Sequence, residues 1–285
     1  MKAAETTTKT MKEDKTMKTT TTTNRGSFSR AAIYAAHGIE FQAGKINSPL
    51  GWIAPLLVNG NAKLGKGVWT FSTLPGTGEY TTEINGQPVT VRGTCPCSCS
   101  GCYAQTGFYR MASTIRALAL RTIIARDHLD FMTRAIAAQI AAERITLVRI
   151  HASGDFFSPE YVTAWREIAR GSRSTLFWSY TKNRDAERAF SDLENVNVVK
   201  SVIPGLGFNF GPCGYILRAY AALKEAGNRV HVCRCGIDPD QHCVDCRGCS
   251  SNDFVLFVEH STSYRAADDP QYEELRALIE SQPRA

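Results

Sequence analysis

From Val68 to Glu280, short apolar runs alternate with segments of helix formers, and this alternation limits the fold more than any other feature of the 285 residues. Strand-like runs begin at Val68, Leu147, Thr175, Val196, Arg229 and Asp253, each short and rich in β-branched or aromatic side chains. Residues 106–143 predict one broken helix or two. Ser158 as N-cap and Pro159 in the first turn open a helix through Ile168, and further helices are expected over 184–193, 214–226 and 271–280. Asn85-Gly86 predicts a hairpin turn within residues 79–91. Six β/α units joined by right-handed crossovers give a parallel sheet covered by helices.

The strand side chains select among such sheets. Val148, Ile150 and Ala152 alternate with Arg149, His151 and Ser153, and Val230 and Val232 alternate with His231 and Cys233. A doubly wound sheet, buried on both faces, reads apolar on both. One polar face predicts a barrel with a wet lumen, and six units are too few to close eight strands. The expected fold is therefore α/β, a partial, laterally open (β/α)6 TIM-like barrel over residues 26–285, with a cysteine-rich metal-binding insertion at 233–251.

Residues 1–25 are expected to be a disordered tail. Thr6 to Thr23 hold ten threonines with almost no large apolar residue, so little surface is available to offset ordering entropy. Residues 1–30 carry seven basic and three acidic residues, leaving +2 of the formal charge of +6 for the body. Nucleic acid stays open as a partner through this tail. No run of 18 apolar residues and no signal-peptide pattern occurs, so a cytoplasmic protein without a membrane partner is expected.

The ten cysteines then read as metal or redox ligands rather than bridges. Four of them stand in the stretch TCPCSCSGCYA, residues 94–104. Cys95-x3-Cys99-x2-Cys102 fits three irons of a 4Fe–4S cluster, leaving the fourth iron open for chemistry and Cys97 outside the set. Zinc competes, using all four thiolates, but its ligand pairs are usually separated by a longer linker. A second group, Cys243-x2-Cys246-x2-Cys249, needs a fourth ligand, for which Cys233 is the first choice and Cys235 the reserve, ahead of Cys213. A second 4Fe–4S cluster and a structural zinc both suit that group.

The cysteine spacing, Gly154-Asp155 at the end of the second strand and the six β/α units resemble the radical S-adenosylmethionine superfamily. The stretches GKGVWTFS, CYA, HASGDFFSPEY and FWSYTK resemble a narrower set, the gene product 88-like proteins of phages and mobile elements. The superfamily resemblance implies that Cys95, Cys99 and Cys102 hold the cluster and that S-adenosylmethionine chelates the open iron. Reductive cleavage then gives a 5′-deoxyadenosyl radical that acts on a substrate the sequence does not name, with electrons from a flavodoxin or ferredoxin. It also implies cofactor contacts from Tyr103, Ser153, Gly154, Asp155 and Ser179, and it inclines the second group toward iron. Two positions depart from the superfamily pattern: Gly101 stands where an aromatic residue is usual, and Ser153-Gly154-Asp155 replaces Gly-Gly-Glu.

His151, Tyr180, Lys182 and His260 lie near C-terminal strand ends, where βα loops build sites, and are the candidate catalytic residues. GNAKLGKG, residues 60–67, falls short of a phosphate loop because Gly67 lacks the magnesium-binding hydroxyl and a strand follows. The leading expectation is a radical S-adenosylmethionine-type enzyme. The alternative is a non-catalytic, metal-stabilised phage or mobile-element protein that binds nucleic acid or a protein partner.

Overall fold

The computed structural model describes residues 29–60, 64–97, 99, 102–238, 240–259 and 264–282. The expected 1–25 tail lies outside them. The six strands form where the apolar runs place them: β1 (Val68–Phe71), β2 (Leu147–Ile150), β3 (Leu176–Thr181), β4 (Val196–Lys200), β5 (Val230–Val232) and β6 (Phe254–Val258). Each runs parallel to its neighbours among the six.

Their order corrects the expected barrel. The sheet reads β1-β2-β3-β4-β6-β5, so β6 sits between β4 and β5, whereas consecutive barrel units require β5 beside β4. The sheet is also mixed, because Val58–Asn59 adds an antiparallel strand at the outer edge of β1. It curls, but it is not a (β/α)6 series. The physical reason lies in β6, where Phe254, Val255, Leu256 and Val258 are all buried. A run apolar on both faces suits an interior position, and the three-residue β5 suits an edge. Chain direction and spacing are silent on that exchange.

Eight α-helices accompany the sheet among the described residues: α1 (Arg30–Ala36), α2 (Ala112–Asp127), α3 (Leu129–Glu143), α4 (Pro159–Gly171), α5 (Arg184–Ala189), α6 (Cys213–Glu225), α7 (Cys243–Cys246) and α8 (Tyr272–Ser281). Ser158 caps α4 by accepting the Tyr161 N–H at 3.2 Å, and Tyr161, Trp165 and Ile168 form its buried stripe. Phe71, Val148, Ile150 and Phe177 pack with α3 and α4 on one sheet face. Val230, Val232, Leu256 and Val258 continue that face beneath α6 and α8. None of the helices is long and apolar enough to cross a membrane among the described residues.

The opposite face is not a wet lumen. Val68, Leu147 and Trp178 pack against Leu64, Cys243, Val244 and Cys249, and Val199 and Val255 pack against Cys233, Cys235 and Cys249. The cysteine-rich insertion is therefore the cover of this face. Asn197 of β4 pins it through hydrogen bonds to the carbonyls of Cys249 (2.8 Å) and Asn252 (2.9 Å). The near-miss phosphate loop has a packing role here: a Cβ on Gly65 would stand 2.9 Å from Val244 and 3.1 Å from His242.

Two features go beyond the sequence reading, and one expected hairpin forms as read. Phe41–Gln42, Lys45–Ser48 and Gly51–Ile53 form an antiparallel sheet, tied to α1 by Tyr34 stacking on Phe41 at 4.7 Å. The predicted 79–91 hairpin forms as Glu79–Ile84 and Gln87–Arg92, with Asn85 and Gly86 at positive φ. The fourth strand is shorter than its apolar run: Val202–Ile203 leaves the sheet and pairs with Gly207–Phe208 around Gly205, φ +76°.

Candidate functional site

The first cysteine loop begins one residue after Gly93, which packs tightly against the backbone of Pro75 and Gly76. Cys95 Sγ accepts the Gly76 N–H at 3.2 Å. Burial, opposed by that hydrogen bond, pushes the Cys95 thiol up to about 12, and charges at Asp155, Cys102 and Cys99 add to the rise. Cys95, Cys99 and Cys102 are thus electrostatic neighbours. Cys97 is exposed, hydrogen-bonds Cys99 and lines the adjoining cleft.

Lys182, just beyond β3, supplies the cation here. Burial works against its charge, but Cys99, which it hydrogen-bonds, outweighs that effect together with Asp155 and Cys97, so its pKa is raised. Asp155 is 4% exposed, and burial raises its pKa against its hydrogen bonds. Its carboxylate accepts from Thr181 Oγ1 (2.5 Å), Phe156 N (2.8 Å) and Lys182 N (3.0 Å). Three of its acceptor directions are thereby used inside the protein.

Ser153 and Gly154 fasten the loop from beneath. Ser153 Oγ donates to the Thr73 carbonyl at 2.7 Å, and a Cβ on Gly154 would stand 1.9 Å from Thr73 Oγ1 and 2.6 Å from Thr94 Oγ1. Those two hydroxyls hydrogen-bond each other at 2.8 Å. The space freed by Gly154 is filled by threonines of the chain itself.

Two candidates point elsewhere. His151 has φ +65°, which breaks the strand alternation and turns its ring into the helix-side core between Phe156 and Tyr161. Its Nε2 is 2.8 Å from Tyr161 Oη, and burial, with Arg149 nearby, lowers its pKa to about 3. Ser179, in register with Ile150 and Val198, also shares the helix-covered face. His260 lies outside the described residues.

The second cysteine group converges on the other side of the sheet. Cys233, Cys235, Cys243, Cys246 and Cys249 line one cavity with Leu147 and Trp178, and its free volume is about 10 Å³. Hydrogen bonds from Cys233 and Cys243 are the main cause that raises the Cys235 thiol, with burial adding to it. Cys246 Sγ is 3.3 Å from His231 Nε2. Cys213 is elsewhere, its sulfur 3.2 Å from the Tyr264 hydroxyl. Cys235 hydrogen-bonds Cys233 and Cys243, no disulfide links these thiols, and no three His, Cys, Asp or Glu side chains among the described residues stand in the geometry of one bound ion.

Arg149 joins the two groups, and sequence reasoning passed over it. Its Nη2 donates to Tyr103 Oη at 3.2 Å, and Tyr103 in turn donates to the Ala152 carbonyl. The guanidinium lies 5.1 Å over the Tyr180 ring, and Tyr180 hydrogen-bonds Cys249. Arg149 Nε is buried without a partner, and no acidic side chain among the described residues forms an ion pair with it. Burial opposes its charge, yet Tyr103, Tyr180, Cys243 and Cys249 hold its pKa above the usual range. The available signal was its place among the polar-face residues of β2.

Residues 55–204, just over half of the chain, match the family profile described as Gene product 88. The chain belongs to the gene product 88 family. It is similar to the Gene 88 proteins of Mycobacterium phages L5 and D29, 50% identical to each over 40 residues. That stretch is 14% of this chain and spans 17% of the length of each relative. No solved structure matches the chain significantly. The family match includes the first cysteine loop, Arg149, Asp155 and Lys182, and it ends before the second cysteine group.

Beside the first loop of this gene product 88 protein lies a cleft of about 890 Å³, bounded by α5, α6 and the 202–208 hairpin. Lys182, Arg184, Arg188 and Lys200 line one side, and Cys97 stands at its edge. The arrangement is one exposed thiol, Cys97, at the edge of a basic cleft, with Arg149 linking the first cysteine loop to the thiol cavity under the 233–249 insertion.

Proposed function

We propose that this gene product 88 protein is a metal–thiolate redox enzyme with two centres. A closed centre on the 233–249 cysteines braces the sheet, and an open three-thiolate iron–sulfur centre on Cys95, Cys99 and Cys102 faces the cleft where chemistry occurs. Arg149, half-buried and with its Nε shut off from water, carries the reading. Taking part of a guanidinium out of water without a carboxylate is costly unless another negative centre balances it. Four thiolates around a divalent ion leave a net negative charge, and Cys243 and Cys249 are the thiols that favour the Arg149 cation.

The donor sets fit different groups. In the closed cavity, free space of about 10 Å³ is the room of one water-sized sphere, which suits a single zinc ion better than a cubane. Zn–S distances near 2.3 Å put sulfurs ~3.8 Å apart, the scale of a thiol–thiol hydrogen-bond contact such as Cys235 makes with Cys233 and Cys243. His231 then acts as the outer donor that orients Cys246. On the first loop, three neighbouring thiols with Cys97 turned outward suit a cubane with one open iron.

A bound cluster would supply one-electron chemistry, and S-adenosylmethionine is the ligand the superfamily resemblance implies for the open iron. That part rests on the loop, since the strand order departs from the barrel. Lys182 would balance the thiolate charge, and Asp155 would hold Lys182 and Thr181 in place. The test is anaerobic purification with iron, sulfide and zinc analysis. About one zinc and about four irons per chain are expected. Cys97→Ala should keep the iron, and Arg149→Met should lose zinc to a chelator faster than the parent. A folded, anaerobically isolated chain with neither metal would overturn the proposal, and iron loss in Cys97→Ala would remove the open centre. Methionine release from S-adenosylmethionine by the reduced protein separates the enzyme from an electron carrier.

A further inference from the structure

The cleft beside the first loop has polar groups that neither cysteine centre uses. Its lining holds Lys182, already turned to the first loop's thiols, three further cations, Arg184, Arg188 and Lys200, and one carboxylate, Glu187. Glu187 is engaged by Lys200 at 3.0 Å, and Arg188 is paired with Asp185. Arg184, exposed at the start of α5, has no partner among the described residues. The hydroxyl of Ser201 and the side-chain carbonyl of Asn228 also line the cleft and are unpaired there, Asn228 using only its Nδ2 on the Leu223 carbonyl.

The facing wall is apolar. Val202, Leu206 and Phe208 form its accessible part over the buried Ile203 and Leu223, and Val202 and Leu206 remain 42% and 43% exposed. Lys182 Nζ lies 5.5 Å over the Phe208 ring, so the cationic side and the apolar wall meet at that residue. An exposed apolar wall opposite unspent positive charge is what an organic anion covers when it binds.

We infer that this cleft binds a nucleoside phosphate. Inorganic phosphate would use the cations alone and leave the wall wet. A phosphate ester with a long acyl chain would use the wall but leave Ser201 and Asn228 unpaired, at the cost of desolvated polar groups. A nucleotide satisfies all three features: phosphate toward Arg184 and Lys200, sugar and base edges toward Ser201 and Asn228, base face on Leu206 and Phe208. The volume of about 890 Å³ is within the range of small-molecule sites. The assignment needs no metal at either cysteine group and reaches beyond the redox proposal by naming a ligand class. The same nucleoside phosphate chemistry is offered by a free nucleotide and by a nucleic-acid strand end.

Titration calorimetry on the full chain tests it, with iron and zinc quantified in the same samples. The probes are dTMP, AMP, a thymidine tetranucleotide, ribose 5-phosphate and inorganic phosphate. Saturable binding of dTMP or AMP is expected, at least about tenfold tighter than inorganic phosphate and ribose 5-phosphate, because only the nucleotides cover the apolar wall. Arg184→Glu and Leu206→Asp, both surface substitutions checked by circular dichroism, should each weaken nucleotide binding about tenfold or more. Equal affinity for dTMP and the tetranucleotide assigns a free nucleotide as the source. Tighter, salt-sensitive binding of the tetranucleotide assigns a strand. Absence of saturable nucleotide binding in the folded protein overturns the inference whatever the metal content, and the iron and zinc measured in the same samples decide the metal centres separately. Inorganic phosphate binding as tightly as dTMP also overturns the inference, a comparison that needs no variant.

Discussion

His151 makes the protein's stability fall as pH falls, by an amount the structure fixes. Its ring is 3% exposed, Nε2 meets Tyr161 Oη at 2.8 Å and Nδ1 is buried without a partner. Burial is the main cause, with Arg149 second, of a folded-state pKa of about 3 against an ordinary 6.5. Above pH ~6.5 both folded and unfolded chains hold the ring neutral and the residue is silent. Between those two values the unfolded chain takes up a proton that the native chain refuses, so stability is lost on acidification at up to ~1.4 kcal/mol per pH unit. The loss is about 2 kcal/mol at pH 5 and approaches about 5 kcal/mol near pH 3. Tyr161 on α4 meets the ring directly, Arg149 acts on it through charge from the other face of the sheet, and buried Asp155 lies in the following loop. Asp155 has a raised pKa, so its own contribution has the opposite sign, and a difference between two proteins is required. Urea unfolding followed by tryptophan fluorescence at pH 7 and pH 5 should show the parent losing about 2 kcal/mol more than His151→Gln. The variant will start less stable, because position 151 has φ +65°, where histidine is better tolerated than most side chains. That offset is common to both pH values and cancels. Equal losses in the two proteins would mean that the ring is protonated in the native state, and the account of its burial would fail.

Two further substitutions test the packing around the site. Gly154→Ala should lower stability by about 3 kcal/mol and loosen the first cysteine loop, because its Cβ would collide with the Thr73 and Thr94 hydroxyls at a backbone φ of +82°. A thermal midpoint within 2 °C or so of the parent would contradict this. Gln139→Leu should cost about 2–4 kcal/mol, since the Gln139 amide accepts from Leu57 N at 2.8 Å and donates to Leu57 O at 2.9 Å, and both backbone groups would be left buried and unpaired. Chemical denaturation checks it, and an unchanged midpoint would show that water replaces the amide.

What the sequence revealed and what it concealed separate along physical lines. Strand and helix positions depend on local periodicity, and β1 to β6, the Ser158 cap and the Asn85-Gly86 turn all form near where that periodicity puts them. Neighbour relations depend on which strand gains most from an interior place, so the exchange of β5 and β6 is invisible to alternation, although the unbroken Phe254–Val258 run carries a trace of it. Alternation itself fails at His151, where one residue at positive φ rotates the chain and sends a supposed lumen residue into the core. The larger error was to equate a polar strand face with water. Arg149 and Tyr180 are polar-face residues, yet they are covered by an insertion whose own side chains are sulfur-bearing and polar enough to meet them. A helix covering that face would have had to present apolar side chains, and Arg149 would then have needed a carboxylate. With thiols as the cover, the cation is tolerated to the degree that those thiols carry negative charge, and sulfur beside a partly buried guanidinium is the feature from which the metal–thiolate proposal follows.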